Sequence, residues 1–472
     1  MKFIDRSAEL ARLDALSARP EGGLAVLWGR RRVGKTRLLL EWSARHQGLY
    51  TVADESASAV QRSYFARSVA DKFPGFDEVT YPDWRALLRR LSQLCQAAQW
   101  RGPLIIDELP YLVAANPSFS SILQNWLDHE ARSSCLVVAV AGSSQRMMQG
   151  LVLESTAPLY GRAVELMELR PLLPGYVADV FEALGPRQAV ELYALWGGIP
   201  RYWELASPLG GDLEREVDRL VLDPAGPLHR EPDRLLLEES PPAVSLRPLL
   251  DLIGAGANRV SKIAGRLGQP ATSLSRPLVR LVQLGLVKRE LPYGESEKAS
   301  KLAVYRIADP FFRFWFSTVA PRRSLFAESP AETRISVWRE RRTALESDTW
   351  EELCRLAVPC LHRGDNALSR LGPWEPARRY WRGKGPEWDV VASSLDGKRL
   401  LLGEAKWLAE PADSATLGGI GAELMRKGTL PATLAGDREI VWAVFVPELR
   451  RGFRPPAGIQ VVDAASVLSC LR

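Results

Sequence analysis

Residues 24 to 36 read Leu24-Ala25-Val26-Leu27-Trp28-Gly29-Arg30-Arg31-Arg32-Val33-Gly34-Lys35-Thr36. The first five are apolar and are bounded by glycines, which predicts a short buried strand. The residues that follow, from Leu38 to Trp42, predict a helix. A strand, a loop of the pattern G-x-x-x-x-G-K-T and a helix, in this order, are a P-loop in its required context. The stretch therefore predicts an α/β domain with a site for a nucleoside triphosphate.

The chemistry of this loop suits ATP with Mg²⁺. Glycines let successive backbone N–H groups face phosphate oxygens, and the helix amino terminus favours anions. Lys35 is expected to neutralise the β- and γ-phosphates, and the Thr36 hydroxyl to bind Mg²⁺. The expected ATP-binding residues of the loop are Gly29, Arg30, Arg31, Arg32, Val33, Gly34, Lys35 and Thr36.

A second apolar stretch, 103–106, ends in Asp107 and Glu108. Asp107 is expected to hold Mg²⁺ through water, and Glu108 to polarise the attacking water, a pairing that favours hydrolysis over nucleotide holding. A third apolar stretch, 135–141, is followed by Gly142 and Ser143. Ser143 would lie beside the P-loop and could sense the γ-phosphate.

Arg162 follows the segment Pro158-Leu159-Tyr160-Gly161. It could act as an arginine finger, in its own chain or across a subunit boundary. It could equally be a surface residue in a salt bridge. The sequence leaves both readings open.

The chain resembles archaeal and bacterial ATPases related to the AAA+ and STAND classes that carry a winged helix and a nuclease-like carboxy-terminal domain. The similarity rests on the segments 3–6, 29–36, 106–108, 141–144, 158–162 and 197–202 in this order. It implies an α/β P-loop NTPase with a helical lid, a winged helix and a carboxy-terminal α/β domain like those of restriction endonucleases. It also implies that Asp5 and Arg6 lie near the nucleotide base, and that 197–200 (Gly-Gly-Ile-Pro) belongs to the lid.

The length of 472 residues and the placement of prolines predict the domain limits. Apolar spacing predicts lid helices over 176–184 and 187–195, and dense prolines predict a boundary near residues 240–248. The expected domains are the ATPase core (1–170), the helical lid (171–245), the winged helix-turn-helix (246–316) and the nuclease-like domain with linker helices (317–472).

The winged helix is predicted from three helical patterns and two strands. Helices are expected over 246–253 and 260–267 and from Ser275, the last with Leu274, Leu278, Leu281 and Val282 inward. Strands are expected over 286–291 and 303–307. The aromatic run that follows, 308–316, could stack on bases, but its spacing favours a place in an interdomain core.

The net charge of +6 is concentrated in one segment. Residues 259–289 contain seven basic residues and no acidic one, so the rest of the chain is close to neutral. This density fits salt-dependent binding of double-stranded DNA, although a winged helix can also serve packing alone. The candidate DNA contacts are Arg259, Lys262, Arg266, Arg276, Arg280, Lys288 and Arg289.

A second candidate site lies near the carboxy terminus. Strands are expected over 387–392 and 400–407, joined at Asp396-Gly397. Glu404 and Lys406 then share one strand face, towards Asp389 if the register allows. Two carboxylates can hold Mg²⁺, while the lysine positions water and stabilises developing phosphate charge.

This set resembles the PD-(D/E)XK nuclease constellation, with Asp389, Glu404 and Lys406 as its catalytic residues. The segment 349–354 is similar to the family's helical acidic segment, which implies that Glu351 is an additional metal ligand. The position before the lysine, often cysteine in the family, is Ala405 here. Related domains can keep the fold for binding and lose cleavage, so the resemblance implies the fold more strongly than the activity.

The sequence contains neither a secretory signal pattern nor an apolar run of the ~20 residues that a membrane helix needs. Its five cysteines and four histidines form no ligand spacing. We therefore expect a cytoplasmic protein with reduced thiols and no zinc site.

The favoured hypothesis is an ATPase that couples nucleotide state to DNA binding, with Mg²⁺-dependent cleavage by the last domain and a possible homo-oligomer through the first. A second hypothesis is a STAND-like switch whose last domain only binds a partner. A third is an ATP-binding regulator with no DNA contact.

Overall fold

The computed structural model describes residues 3–153, 157–181, 184–239, 246–298 and 302–472. The chain divides into two compact units. The amino-terminal unit contains Phe3–Pro171 and Ile199–Arg201, and the carboxy-terminal unit contains Leu172–Gly198 and Tyr202–Arg472. The first predicted boundary, at residue 170, lies beside this division. The finer division of the second unit into three domains stays a prediction, and residues 240–245 of its expected boundary at 240–248 lie outside the described residues.

The amino-terminal unit is built on a parallel sheet. Its strands are β1 (Gly23–Trp28), β2 (Leu49–Val52), β3 (Leu104–Asp107), β4 (Val137–Gly142) and β5 (Ala163–Glu168). They lie in the order β2-β3-β4-β1-β5 and all pair in parallel. The three strands predicted over 24–28, 103–106 and 135–141 are confirmed as β1, β3 and β4. Their continuous apolar sequences suit a sheet that is covered on both faces.

Helices surround this sheet. They are α1 (Ser7–Ala18), α2 (Lys35–Arg45), α3 (Ser58–Ala70), α4 (Trp84–Ala97), α5 (Leu109–Ala115), α6 (Phe119–Trp126) and α7 (Gln145–Met148), with π-helical turns at Leu127–Ala131 and Gln149–Leu153. The α4 helix shows why they form: Asp83 caps its first turn by accepting from the Ala86 N–H, and Leu87, Leu88 and Leu91 recur on one buried face.

The carboxy-terminal unit is richer in helix. Its helices are α8 (Pro186–Trp196), α9 (Pro200–Ala206, whose first two residues belong to the other unit), α10 (Leu213–Val217), α11 (Glu231–Glu239), α12 (Arg247–Gly254), α13 (Val260–Leu267), α14 (Ser275–Gln283), α15 (Pro310–Phe314), α16 (Arg323–Glu328), α17 (Ala331–Ala357), α18 (Ser414–Arg426), α19 (Ala432–Ala435) and α20 (Ala464–Cys470). Short 3₁₀ turns lie at Pro174–Asp179, Ser207–Leu209, Ala271–Leu274, Ala320–Arg322 and Val358–Arg363, and π-helical turns at Asp218–Leu222 and Trp315–Val319.

One predicted lid helix is wrong. The expected helix over 176–184 is a 3₁₀ turn, Pro174–Asp179, and residues 182 and 183 lie outside the described residues. Pro186 disfavours helical backbone at Gly185, which is extended (φ −72°, ψ 160°), so a helix cannot run through this point. A new helix, α8, begins at Pro186 instead, which confirms the second lid prediction.

The three predicted helices and two predicted strands are confirmed as α12, α13, α14 and the antiparallel pair β6 (Val287–Glu290) and β7 (Val304–Ile307), which we call the wing. That they form a winged helix-turn-helix domain stays a prediction. One inward residue was predicted wrongly, because the Val282 side chain is 38% exposed. Leu284 is buried and occupies the inward position one turn after Leu281. The aromatic run after the wing is buried, which confirms its packing role.

A second sheet ends the chain. Its strands are β8 (Arg378–Tyr380), β9 (Trp388–Ser393), β10 (Arg399–Ala405), β11 (Glu439–Phe445) and β12 (Ile459–Val462), in the order β12-β11-β10-β9-β8. The pairs β8–β9 and β9–β10 are antiparallel, whereas β10–β11 and β11–β12 are parallel. The predicted hairpin is confirmed, with Gly397 at φ 71° in its turn.

Helix α17 connects the wing to this sheet through charged side chains. Its Asp348 accepts from Arg306 of β7 at 2.5 Å. One turn later, Glu352 pairs with Lys288 of β6 at 2.6 Å and with Arg313 of α15 at 2.6 Å. Burial raises the pKa of Glu352, but the two cations outweigh it and lower that pKa to about 2. Since this half-buried carboxylate is paired with cations of two different elements, it links β6 and α15 to α17.

Two glycine substitutions should change the stability of the carboxy-terminal unit in opposite directions. A Cβ on Gly198 would lie 2.0 Å from the Leu172 carbonyl oxygen, whereas one on Gly419, in the exposed part of α18, would meet nothing within 4 Å. We expect Gly198→Ala to lower the free energy of unfolding by about 2–3 kcal/mol. Gly419→Ala should raise it by about 0.5–1 kcal/mol, because alanine favours the helix. Urea unfolding followed by tryptophan fluorescence checks both, and equal effects would contradict the packing described.

Candidate functional site

The loop between β1 and α2 follows a path that its glycines permit. Gly29 and Gly34 have φ values of 150° and 100°, which residues with a side chain rarely adopt. A Cβ on Gly29 would lie 2.5 Å from the Leu169 carbonyl oxygen. Lys35 donates from Nζ to the carbonyl oxygens of Gly29 (2.8 Å) and Arg30 (3.3 Å). The ammonium group is thus held against the loop, where it can meet phosphate oxygens.

The other loop residues contribute in different ways. Val33 is fully buried, so it can offer a ligand only its backbone. Arg31 is exposed, and Arg30 and Arg32 are half-buried. Whether these arginines contact nucleotide stays a prediction.

Three hydroxyl and carboxyl groups meet at the end of β3. The Thr36 hydroxyl donates to Asp107 Oδ2 at 2.8 Å, and the Tyr50 hydroxyl donates to the same oxygen at 2.9 Å. Asp107 is buried. Burial, and then the charge of Asp107, raise the pKa of Tyr50. The predicted pair Thr36 and Asp107 therefore comes together, and Tyr50 is a third member that the sequence did not indicate.

Glu108 is held by Ser143. The Ser143 N–H donates to Glu108 Oε2 at 3.1 Å, and its hydroxyl donates to Oε1. Glu108 has φ 55°, an uncommon value that turns its side chain out of the strand direction at the start of α5. The sheet order explains the contact, because β4 lies between β3 and β1 and Ser143 follows β4 directly.

Arg6 is a structural residue of the loop. Its guanidinium donates to the carbonyl oxygens of Val33 (3.1 Å) and Arg170 (2.7 Å) and pairs with Glu9 at 3.0 Å. These partners engage both terminal nitrogens and hold Arg6 against the backbone of the P-loop. That Arg6 lies near the nucleotide base stays a prediction. Asp5, the preceding residue, has φ 58°, and its proximity to a base stays a prediction.

Arg162 is paired on the surface. Its Nε and Nη2 each lie 2.9 Å from the carboxylate of Asp128. It precedes β5, whose Ala163 pairs with Leu24 at the start of β1, and the P-loop follows the opposite end of β1, roughly 16 Å along the strand. The salt-bridge reading is therefore confirmed within one chain. An arginine-finger role at its own P-loop is excluded by this separation.

The second sheet assembles the other predicted set. The register pairs Gly403 with Val390, so Asp389 and Glu404 are the next opposed residues. The Ala405 N–H donates to Asp389 Oδ2 at 3.1 Å. Lys406 Nζ lies 2.8 Å from Glu404 Oε1. The three residues predicted from sequence therefore lie together at the end of β10.

A second lysine, which the sequence did not indicate, binds the same glutamate. Lys427 Nζ lies 2.5 Å from Glu404 Oε2 and donates to the Glu387 carbonyl oxygen at 2.8 Å. It follows α18, the helix that connects the parallel strands β10 and β11. The two Glu404 oxygens are thus each paired with a lysine.

The acidic residues of this cluster influence one another. Burial first, and then the charge of Asp389, raise the pKa of Glu351, and burial and the charge of Glu404 raise that of Asp389. Glu351 lies at the limit of ion-pair distance from Arg379, at 4.0 Å. Arg355 donates to the Asp389 carbonyl oxygen at 3.0 Å. Carboxylates that oppose each other's charge in a buried site favour a cation between them.

The predicted ligand set Asp389, Glu404 and Glu351 is nevertheless not gathered around one point. Among the described residues, no group of three or more acidic, histidine or cysteine side chains is arranged to hold a metal ion. Glu404 does not point an oxygen at a shared metal position, because its two oxygens are paired with Lys406 and Lys427. The donor chemistry fits Mg²⁺, but the arrangement requires a rearrangement of these lysines.

The basic segment is mostly exposed on α13 and α14. Arg259, Lys262, Arg266 and Arg276 are exposed, and Arg280 and Arg289 are half-buried. Lys288 differs, because its Nζ is paired with Glu352 and, at 3.0 Å, with Glu290. We therefore withdraw Lys288 from the candidate DNA contacts.

Comparison with protein families assigns the first part of the chain. Residues 3–205 match the family described as an ATPase domain predominantly from Archaea. The amino-terminal unit has the α/β core of a P-loop NTPase, and its sequence is similar to this family over these residues. Residues 315–416 match a family described as archaeal and bacterial proteins of unknown function. The ATPase part of the predicted resemblance is thus confirmed, and a nucleotide site is implied by the domain.

Similar proteins extend over most of the chain. An uncharacterized protein of Methanocaldococcus jannaschii is 28% identical over 411 residues, which cover 86% of this chain and 87% of that protein. The Walker-type ATPase of Pyrococcus abyssi is 20% identical, covers 66% of this chain and 96% of that chain, and superposes with a TM-score of 0.53. The Aeropyrum pernix ORC2 protein, in ADPNP–ADP complexes, is 15% identical over 73% of this chain and 95% of that chain, with a TM-score of 0.42. The Pyrococcus similarity supports the fold.

Within the described ranges, no helix combines the length and the apolarity needed to cross a membrane. All five cysteines are free thiols.

Arg6→Ala should separate a structural role from a nucleotide contact. We expect it to lower the unfolding free energy of the nucleotide-free protein by about 2 kcal/mol, because it removes the donors to two carbonyl oxygens. Arg12→Ala is the control, since it removes an exposed pair with Glu165 and should cost under about 1 kcal/mol. Thermal unfolding without nucleotide checks this. Unchanged stability with a large loss of ATP affinity would show instead that Arg6 contacts nucleotide directly.

Proposed function

We propose that the protein binds and hydrolyses ATP at the P-loop, and that its carboxy-terminal unit binds double-stranded DNA and cleaves it with Mg²⁺. The observation that carries the first part is the meeting of Thr36, Asp107, Glu108 and Ser143 beside Lys35. The convergence of Asp389, Glu404 and Lys406 supports the second part.

The hydrolytic roles follow from the contacts. Lys35 neutralises phosphate charge, and Thr36 and Asp107 would hold Mg²⁺, which supplies neutralisation of the charge that develops on the transferred phosphoryl group. The fit rests on the oxygen donors of Thr36, Tyr50 and Asp107, which converge within hydrogen-bond distance. Tyr50 fixes the orientation of the Asp107 carboxylate by donating to it.

Glu108 is the proposed general base. Ser143 donates to both of its carboxylate oxygens. A γ-phosphate that accepts a hydrogen bond from the Ser143 hydroxyl would free one of the Glu108 oxygens. That oxygen could then accept a proton from the attacking water. Hydrolysis would thereby depend on the presence of the γ-phosphate.

The proposed DNA surface consists of the exposed basic residues of α13 and α14, namely Arg259, Lys262, Arg266 and Arg276. They lie on the helices that a winged helix uses in a major groove. We also propose a homo-oligomer through the amino-terminal unit, in which Arg162 would leave Asp128 to approach a nucleotide in a second copy of the chain.

At the carboxy-terminal cluster, Asp389, Glu404 and Glu351 would hold Mg²⁺, which lowers the pKa of a water and stabilises phosphate charge. Lys406 would position that water. Lys427 would have to leave Glu404 before Glu404 Oε2 could bind the metal.

The paired state of Glu404 also favours a second candidate function. A glutamate neutralised by two lysines is stable without a metal. The carboxy-terminal domain could then keep its fold for binding a partner while the ATPase acts as a switch.

ATP hydrolysis tests the first part. Glu108→Gln should keep ATP binding and lower the hydrolysis rate by about 10²–10⁴-fold, because it removes the general base. Lys35→Ala should weaken ATP binding itself. Glu78→Gln, an exposed glutamate of the same unit, is the control and should leave the rate unchanged. Phosphate release and equilibrium ATP binding measure the two effects, and full activity of Glu108→Gln would remove the proposed role.

Plasmid cleavage with Mg²⁺ tests the second part. Glu404→Gln and Lys406→Ala should each abolish cleavage, because they remove a ligand and the water-positioning group. Lys398→Ala, in the exposed turn of the same hairpin, is the matched control. If the wild type binds DNA without any metal-dependent cleavage, the switch is favoured. Cleavage that survives Glu404→Gln would place the activity outside this cluster.

A further inference from the structure

Two cavities adjoin between the winged helix and the second sheet, within the carboxy-terminal unit. The first, of about 390 Å³, is bounded by α12, β7, α17 and the residues around β8. The second, of about 430 Å³, is bounded by β6 and β8. Both are lined by Arg379 and Trp381. We call the two together the arginine cleft. Each has the size of a typical ligand site.

The lining of the arginine cleft is strongly cationic. Five arginines line the first cavity and four line the second, with Arg379 common to both, against two acidic residues in each. Arg341 and Arg378 are exposed at its rim. Arginine is the side chain best suited to phosphate, because its planar fork donates two parallel hydrogen bonds.

Three buried donors in this lining lack a hydrogen-bond partner. They are Trp381 Nε1, Arg313 Nε and Arg355 Nη2. Trp381 is only 7% exposed, so its N–H is not satisfied by bulk solvent. Buried donors are normally paired, and an unpaired one points to an acceptor that is supplied from outside. These three nitrogen atoms are covered by protein atoms, so a ligand in the cleft could accept from them only if the side chains turn towards it.

One buried acceptor in the lining, Glu290 Oε2, is also unpaired. The net charge of the cleft lining stays positive, because the charges of Lys288, Arg306 and Arg355 act on the Glu290 carboxylate. Burial raises the pKa of Glu290, but these cations outweigh it and lower that pKa.

The arginine cleft leads from the winged helix to the acidic cluster. Arg259, at the start of α13, lines its first cavity. At the other side, Arg355 donates to the Asp389 carbonyl oxygen and Arg379 lies 4.0 Å from Glu351. A ligand in the cleft would therefore touch residues that position the acidic cluster. This continuity suits a chain of successive phosphates better than an isolated one.

We propose that the arginine cleft binds successive phosphodiester groups of a nucleic-acid strand and guides that strand from the winged helix towards Asp389 and Glu404. The proposal rests on the proposed function, because it names the path of the same substrate. Arg341, Arg378 and Arg379 contact the phosphates, and Trp381 donates its N–H to a phosphate oxygen. These are positioning residues rather than catalytic ones.

Salt-dependent binding tests the proposal with the full-length protein. The probe is a fluorescein-labelled DNA duplex, with each of its single strands, in EDTA and without nucleotide, between about 50 and 200 mM salt. Each lost phosphate contact should reduce the slope of log K against log salt by about one. We therefore expect this reduction for Arg341→Ala and for Arg378→Ala. Trp381→Phe removes a neutral donor and should weaken binding several-fold without changing the slope. Arg451→Ala, an exposed arginine outside the cleft, should match the wild type.

The outcomes distinguish this proposal from the proposed function. If the wild type binds DNA and cleaves it, but the three cleft variants bind with the wild-type slope and affinity, the cleft is overturned and the function stands. If the wild type binds no DNA, both are overturned. Free nucleotide shares the phosphate chemistry, so ATP binding is also measured in a Lys35→Ala background. ATP affinity that falls in Arg341→Ala while DNA binding is unchanged would reassign the cleft to a free nucleotide.

Discussion

The double ion pair of the half-buried Glu352 carboxylate is the interaction on which the carboxy-terminal unit depends most. It holds Lys288 of the wing and Arg313 of α15 at once, each at 2.6 Å. The preceding residue on α17, Glu351, belongs to the acidic cluster of the second sheet. One helix therefore fixes both the wing and a carboxylate of the candidate nuclease site. Because a partly desolvated pair broken on one side leaves an uncompensated charge, we expect the wing to separate from α17 only with a loss of stability.

The amino-terminal unit obeys a different constraint, which is the strand order. With β4 between β1 and β3, the ends of three parallel strands place the P-loop, Ser143 and Asp107 side by side. Hydrogen bonds couple these groups, since Ser143 donates to Glu108 and Thr36 donates to Asp107. A triphosphate that enters this site competes for donors that are already paired. The chemistry of hydrolysis is thereby linked to a rearrangement of side chains.

Much of both sites could be predicted from sequence because their residues follow strands. Asp107, Ser143, Glu404 and Lys406 each stand at or directly after an apolar stretch, and the carboxyl ends of parallel strands meet at one edge. Tyr50 and Lys427 could not be predicted, because no motif marks a tyrosine within β2 or a lysine after α18. Lys288 was misjudged for a related reason: its partner, Glu352, lies far along the chain. The sequence shows that a residue is charged, but only the tertiary structure shows whether that residue forms an ion pair.

The most direct test of this account is a double-mutant cycle between Lys288→Met and Glu352→Gln, with the free energy of unfolding as the measured quantity. The account predicts a coupling energy of about 2 kcal/mol, because the two residues stabilise the wing on α17 through one half-buried ion pair. The coupling should diminish as the pH falls below about 4.5 towards 2, where the Glu352 carboxylate gains a proton. Effects that add to within about 0.5 kcal/mol at neutral pH would contradict the claim that this ion pair anchors the wing.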